Sequence, residues 1–288
     1  AVYVEASRGC LHTCLHCPIT PIYNGRFFVV PADVIAADIR AQVRAGATHI
    51  TFGDPDFLNG PGHSLKVLRA LHAEFPTVTF DFTAKVEHIL EFRHLFREFR
   101  ALGCAFVVSA FESTGDVVLA HLDKGHTRAD MNEALQIVAE AGIPIRPTWV
   151  AFTPWTTLAD YVEMIEFVLT NELIDHIDPV QYSIRLLVPP GSALTAQPDS
   201  AAWLGELDAA NYACRWDHPD PRMDDLYRAV RARVERAAQL GDDALVTFNA
   251  IRDLAYAALG AGPPADDELP APAPARRVSP HLPESWFC

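Results

Sequence analysis

Ser7-Arg8-Gly9-Cys10-Leu11-His12-Thr13-Cys14-Leu15-His16-Cys17-Pro18 comes just after an apolar β-type opening, Val2-Tyr3-Val4, and its reading decides the fold. Three thiolates spaced Cys10-x-x-x-Cys14-x-x-Cys17 on one short loop can hold three irons of a [4Fe–4S] cube, for which cysteine thiolates are the usual ligands. The fourth iron then lacks a protein ligand and is open to a small molecule. Structural zinc normally takes four ligands, commonly as paired Cys-x-x-Cys units. Here Cys104, Cys214 and Cys288 are isolated, so only His12 or His16 could complete a Cys3His zinc set. A disulfide framework fits poorly, because the chain is far above the small secreted size class and three of its few cysteines lie too close together to staple anything.

Composition narrows the function classes. With 288 residues, half of them hydrophobic, the chain can build one large domain, or a barrel with a small appendage. A net charge of −14 argues against non-specific binding to nucleic acid or anionic lipid. No apolar run approaches the ~20 residues that span a bilayer, and no signal-peptide pattern is present. An oxygen-sensitive cluster and free thiols point to the reducing cytoplasm. Ala1 lies almost on the first strand, so further chain is expected before it.

Apolar β-branched runs alternate with helical patterns through residues 2–188. Strands are expected at 2–6, 49–53, 77–83, 104–110, 143–150 and 180–187, and helices at 32–45, 63–74, 89–102, 128–141 and 158–170. Gly46, Gly103 and Gly142 each close a helix just before the next strand. Pro144 and Pro147 count against the fifth strand. Short links between six βα-type repeats imply a parallel sheet with right-handed crossovers. Beyond Pro190, segments 199–214, 222–240 and 244–259 read as helices. The spacing of Met223, Leu226, Val230, Val234 and Ala237 marks a packing face. Residues 262–274, rich in Pro, Ala and Asp, read as an extended linker. The expected division is 1–190, 191–260 and 261–288: barrel, helical extension, and linker with tail.

The cysteine spacing resembles that of the radical S-adenosylmethionine (radical SAM) superfamily. The resemblance implies an α/β fold, a partial (β/α)6 barrel open on one side, over residues 2–190. It also implies two cofactors, a [4Fe–4S] cluster on Cys10, Cys14 and Cys17 and S-adenosylmethionine (SAM) on the open iron. Reduction of SAM requires an electron donor such as flavodoxin or ferredoxin, and the substrate is expected to be a small molecule.

Active sites of parallel βα barrels gather at the C-terminal strand ends. After the second strand the superfamily has a Gly-Gly-Glu-like segment that receives the SAM amino group. Here it reads Gly53-Asp54-Pro55-Asp56, leaving backbone carbonyls with Asp54 or Asp56 for that role; the alternative is a simple turn. Lys85, after strand three, suits a carboxylate or stands solvated. Ser109-Ala110-Phe111-Glu112-Ser113 is similar to a Gly-x-Glu-Ser segment, so Ser109, Glu112 and Ser113 are implied contacts of the SAM ribose and amino acid. Thr148 is placed near the ribose and His16 near adenine. Arg185 on an apolar strand needs a carboxylate partner, from ligand or protein. Its expected role is ligand binding more than folding. Leu122-Asp123-Lys124-Gly125-His126-Thr127 reads as a helix-entry turn capped by Thr127.

Longer stretches resemble a narrower group, the CUAEP/CCAEP-tail radical SAM (seleno)protein family. They are Ile50-Thr51-Phe52-Gly53-Asp54-Pro55-Asp56-Phe57-Leu58-Asn59-Gly60-Pro61, Lys85-Val86-Glu87-His88, Phe152-Thr153-Pro154-Trp155-Thr156-Thr157, Leu186-Leu187-Val188-Pro189-Pro190-Gly191-Ser192 and Trp216-Asp217-His218-Pro219-Asp220-Pro221-Arg222. Trp286-Phe287-Cys288 resembles the entry to that tail, where Cys or selenocysteine and then Ala-Glu-Pro would follow. Either the tail continues past Cys288 or this member lacks it. A neighbouring branch implies 3-amino-3-carboxypropyl transfer from SAM to arsenic or a related soft element, with Cys288 as a catalytic thiol. Hydrogen abstraction from an organic or peptide substrate by a 5′-deoxyadenosyl radical is the alternative. A non-enzymatic iron–sulfur electron carrier would generally need four cysteines per cluster.

Overall fold

The computed structural model describes residues 1–264. In chain order the elements are β1 (Val2–Val4), β2 (Ser7–Gly9), α1 (Thr20–Tyr23), β3 (Phe27–Val29), α2 (Ala32–Arg44), β4 (His49–Phe52), α3 (Pro61–Glu74), β5 (Thr79–Thr83), α4 (Val86–Glu91), α5 (Phe96–Ala101) and β6 (Cys104–Glu112). There follow α6 (Asp116–His121), α7 (Arg128–Glu140), β7 (Ile145–Trp149), α8 (Leu158–Thr170), β8 (Leu204–Asp208), β9 (Ala213–Trp216), α9 (Pro221–Leu240) and α10 (Ala244–Leu259). The described residues fall into two compact units, 1–111 with 125–147 and 112–124 with 148–264.

The expected parallel sheet is present as five strands in the order β1-β4-β5-β6-β7. Val2, Tyr3 and Val4 align with Ile50, Thr51 and Phe52, and these in turn with Phe80, Asp81 and Phe82. The register shifts between Phe80 and Asp81 where β5 meets β6. Aromatic residues fill the space between sheet and helices in the first unit. The Phe52–Phe57, Phe57–Phe82 and Phe82–Phe99 ring centroids lie 4.7, 5.0 and 5.3 Å apart. Each such fully buried ring contributes about 1.5–3 kcal/mol. Gly46, Gly103 and Gly142 all take left-handed φ after their helices, as the C-terminal glycine motif requires.

Three expectations need correction. The sixth strand is reduced to one parallel bridge, Phe152 with Arg185. Pro179 opens a 3-10 turn, Pro179–Ser183, and the Gln181 side chain, not a neighbouring backbone, accepts from Trp149 N at 3.0 Å. The helix expected over 89–102 breaks into α4 and α5 around a 3-10 turn at Arg93–Leu95, and α4 starts earlier, at Val86. The helix expected over 199–214 is a 3-10 turn followed by the antiparallel β8–β9 hairpin. Asp208 decides that change. Its carboxylate accepts from Ala210 N, Asn211 N and Asn211 Nδ2 and pairs with Arg215, so local side-chain bonds outcompete the helix.

Helices α9 and α10 form as expected, and α10 packs on α8 and α9. Met223, Leu226, Val230, Val234 and Ala237 are the buried face of α9. Thr127 caps α7 in a reciprocal capping box with Asp130. The expected linker and tail from residue 265 onward, with Cys288, lie outside the described residues. Among the described residues no helix is long and apolar enough to cross a membrane.

Candidate functional site

The cysteine loop lies in the first unit between β2 and α1. A hairpin that the alternating pattern did not reveal frames it: β2 pairs antiparallel with β3, Ser7 opposite Val29 and Gly9 opposite Phe27. Gly9 makes the hairpin possible. It holds φ +83°, and a Cβ there would sit 2.4 Å from the Arg26 carbonyl oxygen and 2.7 Å from the Tyr23 ring. Within the loop, Cys17 N and Thr20 Oγ1 both donate to the Cys14 carbonyl, at 3.2 and 3.0 Å. Cys14 is buried, Cys10 and Cys17 are half-buried, and all three are free thiols.

Two segments clamp this loop, one after β4 and one after β5. Asp54 accepts from Ala6 N at 2.9 Å and from Ser7 Oγ at 2.5 Å. Asn59 Oδ1 accepts from Leu11 N at 3.1 Å, while its Nδ2 donates to the Asp56 carbonyl at 2.9 Å. Asp56 is fully buried and accepts from Leu58 N, Lys85 N and His88 Nδ1, at 3.0, 3.3 and 2.7 Å. His88 Nε2 meets His12 Nε2 at 3.3 Å. Lys85 Nζ lies 3.6 Å from Cys14 Sγ and is ion-paired with Glu87. Gly53 starts the first clamp under the Tyr3 ring; the Tyr3 hydroxyl donates to its carbonyl at 2.9 Å, and a Cβ at Gly53 would fall 1.7 Å from Tyr3 Cζ.

The expected ligand contacts at 53–56 are therefore largely occupied by protein donors. Both oxygens of Asp54 and both of Asp56 accept hydrogen bonds from the chain itself. Burial pushes the Asp54 carboxyl upward in pKa, against the lowering effect of Ser7 and the backbone donors around it. Burial would lower His88, but the Asp56 hydrogen bond and charge override it and raise the pKa. His12 is shifted down by burial, with Lys85 and His88 adding to it. Burial likewise raises the Cys10 thiol, partly offset by His12 N donating to its sulfur at 3.4 Å.

A pH prediction follows from His88. Its raised folded pKa means that the His88–Asp56 pair contributes its full stability below the ordinary histidine value of about 6.5. That contribution is lost as pH rises through the raised value. The melting temperature of the wild type over His88→Gln is expected to be largest near pH 6 and to shrink toward pH 9. A gap that widened with pH would reverse the sign.

The residues fit a thiolate-ligated cluster. The donor set is three soft, free thiols on one loop, and two of them already face N–H donors, His12 N to Cys10 and Lys85 Nζ to Cys14. His12, one of the two histidines that could complete a Cys3His zinc set, turns its Nε2 toward His88. His12, Asp56 and His88 bring three ligand-type atoms within 4.8 Å of one another. They read better as a hydrogen-bonded strut, since the Asp56 oxygens are already shared among three N–H donors.

The remaining expected residues divide between the units. In the first, Ser109 is fully buried and donates to the Ala84 carbonyl at 2.8 Å, and His16 is half-buried on the cysteine loop. In the second, Glu112 ends β6 at φ +65°, a left-handed conformation uncommon for a non-glycine residue, and Lys124 Nζ donates to it at 3.1 Å. Ser113 Oγ accepts from Gly115 N, and Thr148 is half-buried. The carboxylate partner expected for Arg185 comes from the protein. Nη1 donates to Asp224 at 2.7 Å and Nη2 to the Trp216 carbonyl at 2.8 Å, with the guanidinium 3.6 Å from the Trp216 ring centroid.

Sequence reasoning missed His12, Asn59, His88 and Lys124 as members of these arrangements. The available signals were polar residues in the stretches 7–18, 50–61, 85–88 and 122–127.

Comparison with known proteins agrees with the fold. A protein of Methanocaldococcus jannaschii named as a candidate methylthiotransferase is 21% identical over 188 residues, 60% of this chain and 40% of its own length. The chain thus spans less than half of that relative. The cobalamin-dependent SAM radical enzyme OxsB, solved with aqua-cobalamin and SAM bound, superposes with a TM-score of 0.69 at 16% identity over 83% of this chain and 41% of its own. Methylornithine synthase superposes at 0.54 with 12% identity, over 96% of this chain and 78% of its own. The radical SAM superfamily profile matches residues 4–168, more than half of the sequence and including all three loop cysteines. On that match the chain belongs to the radical SAM superfamily, whose enzymes work with a [4Fe–4S] cluster and SAM.

Proposed function

We propose that this chain cleaves SAM reductively, holding the cluster on Cys10, Cys14 and Cys17, and directs the resulting radical to a small substrate. The observation that carries the reading is the clamped three-thiol loop at the C-terminal ends of β1, β4 and β5. When bound, the cluster supplies one electron to the SAM sulfonium. The protein's part is orientation and exclusion of water and oxygen. Asp54 braces the strand entering the loop, and Asn59 and the Asp56–His88–His12 strut brace the loop itself. An electron donor is required; a flavodoxin or ferredoxin suits a one-electron step.

The finer reading is a member of the CUAEP/CCAEP-tail family that transfers the 3-amino-3-carboxypropyl group of SAM to arsenic or a related soft element. Its support is the five sequence stretches quoted above and the affinity of soft thiols such as Cys288 for soft acceptors. The rival is cleavage at the 5′ carbon with hydrogen abstraction. Products formed anaerobically with dithionite separate the two. Methylthioadenosine is the expected nucleoside. 5′-Deoxyadenosine alone would overturn the transfer reading, and neither product would overturn reductive cleavage itself.

A further inference from the structure

We propose that Lys85 sets the reduction potential of the cluster through Cys14, and that Glu87 moderates it. The proposal rests on the cluster-binding reading above. Lysine is seldom buried, yet Lys85 is 7% exposed. Its ammonium lies 3.6 Å from the sulfur of Cys14, the one buried thiol of the three. Both ends of the residue are held. The backbone N–H is taken by Asp56, which also takes His88 one turn later, and the ammonium is taken by Glu87. The charge therefore cannot swing out to solvent without breaking the ion pair.

Cluster reduction adds one electron, and so one negative charge, beside that ammonium. A fixed cation at a buried thiolate stabilises the reduced form more than the oxidised form, because water screens it poorly there. Net charge and hydrogen bonds to the sulfurs are among the factors that set such potentials. Glu87, ion-paired with that ammonium, offsets part of its charge. This arrangement makes the cluster easier for a donor to reduce. It differs from the carboxylate-binding role that the sequence implied for Lys85, which would leave the cluster unchanged when SAM is absent.

The test is a potentiometric titration of the reconstituted protein without SAM, with dithionite as the one-electron source and the reduced cluster read by electron paramagnetic resonance. At the potential where the wild-type cluster is half reduced, Lys85→Met is expected to lower the reduced-to-oxidised ratio about tenfold, equivalent to about 59 mV for one electron. Lys85→Arg should keep the ratio near wild type, and Glu87→Gln should raise it. An unchanged ratio in Lys85→Met at full iron content overturns the proposal. Weaker SAM binding with an unchanged ratio also overturns it and returns Lys85 to the ligand. Should Lys85→Met fail to hold iron, Glu87→Gln, which leaves the sulfur contact in place, decides: a fall or no change in its ratio overturns the proposal. Wild-type protein without iron would instead count against the cluster reading.

Discussion

Replacing Cys10, Cys14 or Cys17 singly by alanine is expected to leave a folded chain that holds no four-iron cluster and makes no nucleoside product from SAM. Each thiol supplies one of only three protein ligands, and the loop holds no spare thiol. His12 is committed to His88, and among the described residues the remaining cysteines, Cys104 and Cys214, lie outside the loop. Cys104 is fully buried and its thiol pKa is raised strongly by that burial, so it makes a poor substitute. Folding should survive, because each change removes a single sulfur, costing on the order of 1 kcal/mol. Iron per chain and the broad absorbance near ~400 nm are the readouts. Any one variant retaining about four irons per chain would overturn the ligand assignment.

The second large effect concerns Arg185. Arg185→Met keeps much of the volume but leaves Asp224, a mostly buried carboxylate, with His218 N as its donor among the described residues, and removes the guanidinium from the Trp216 ring. Breaking a buried pair by removing one partner costs about 3–5 kcal/mol. Partial exposure of both groups brings the expected loss to about 2–3 kcal/mol. The melting temperature should fall by several degrees while SAM affinity stays near wild type. The sequence implied the opposite balance, a ligand-binding arginine. Weakened SAM binding with unchanged melting would restore that earlier expectation.

What could be read from the chain follows from the range over which each signal acts. The cysteine spacing, the closing glycines at 46, 103 and 142, and the α9 face are local patterns, and each is visible within a few residues. The clamps are not local. His88 reaches Asp56 across 32 positions and His12 across 76, and Asp54 reaches Ser7 across 47. Nothing near Asp54 in sequence distinguishes a carboxylate that grips β2 from one that awaits a ligand. Arg185 posed the same problem: its need for a carboxylate was evident, but Asp224 lies 39 residues on, beyond a hairpin that helical spacing had concealed. Where local turn chemistry competed with periodicity, as at Asp208, the side-chain bonds prevailed.

The close seat of Gly53 under Tyr3 also bears on how this sequence can change. A side chain at 53 would meet the tip of the Tyr3 ring, which is half exposed and can turn outward only by giving up its hydroxyl's bond to the Gly53 carbonyl. Positions 3 and 53 are thus epistatic. Alanine at 53 turns the half-exposed Tyr3 ring outward and costs its hydrogen bond on the present background, and it meets no such ring once residue 3 is small. The cost of substitution at the start of the β4 clamp is therefore set by a residue on β1.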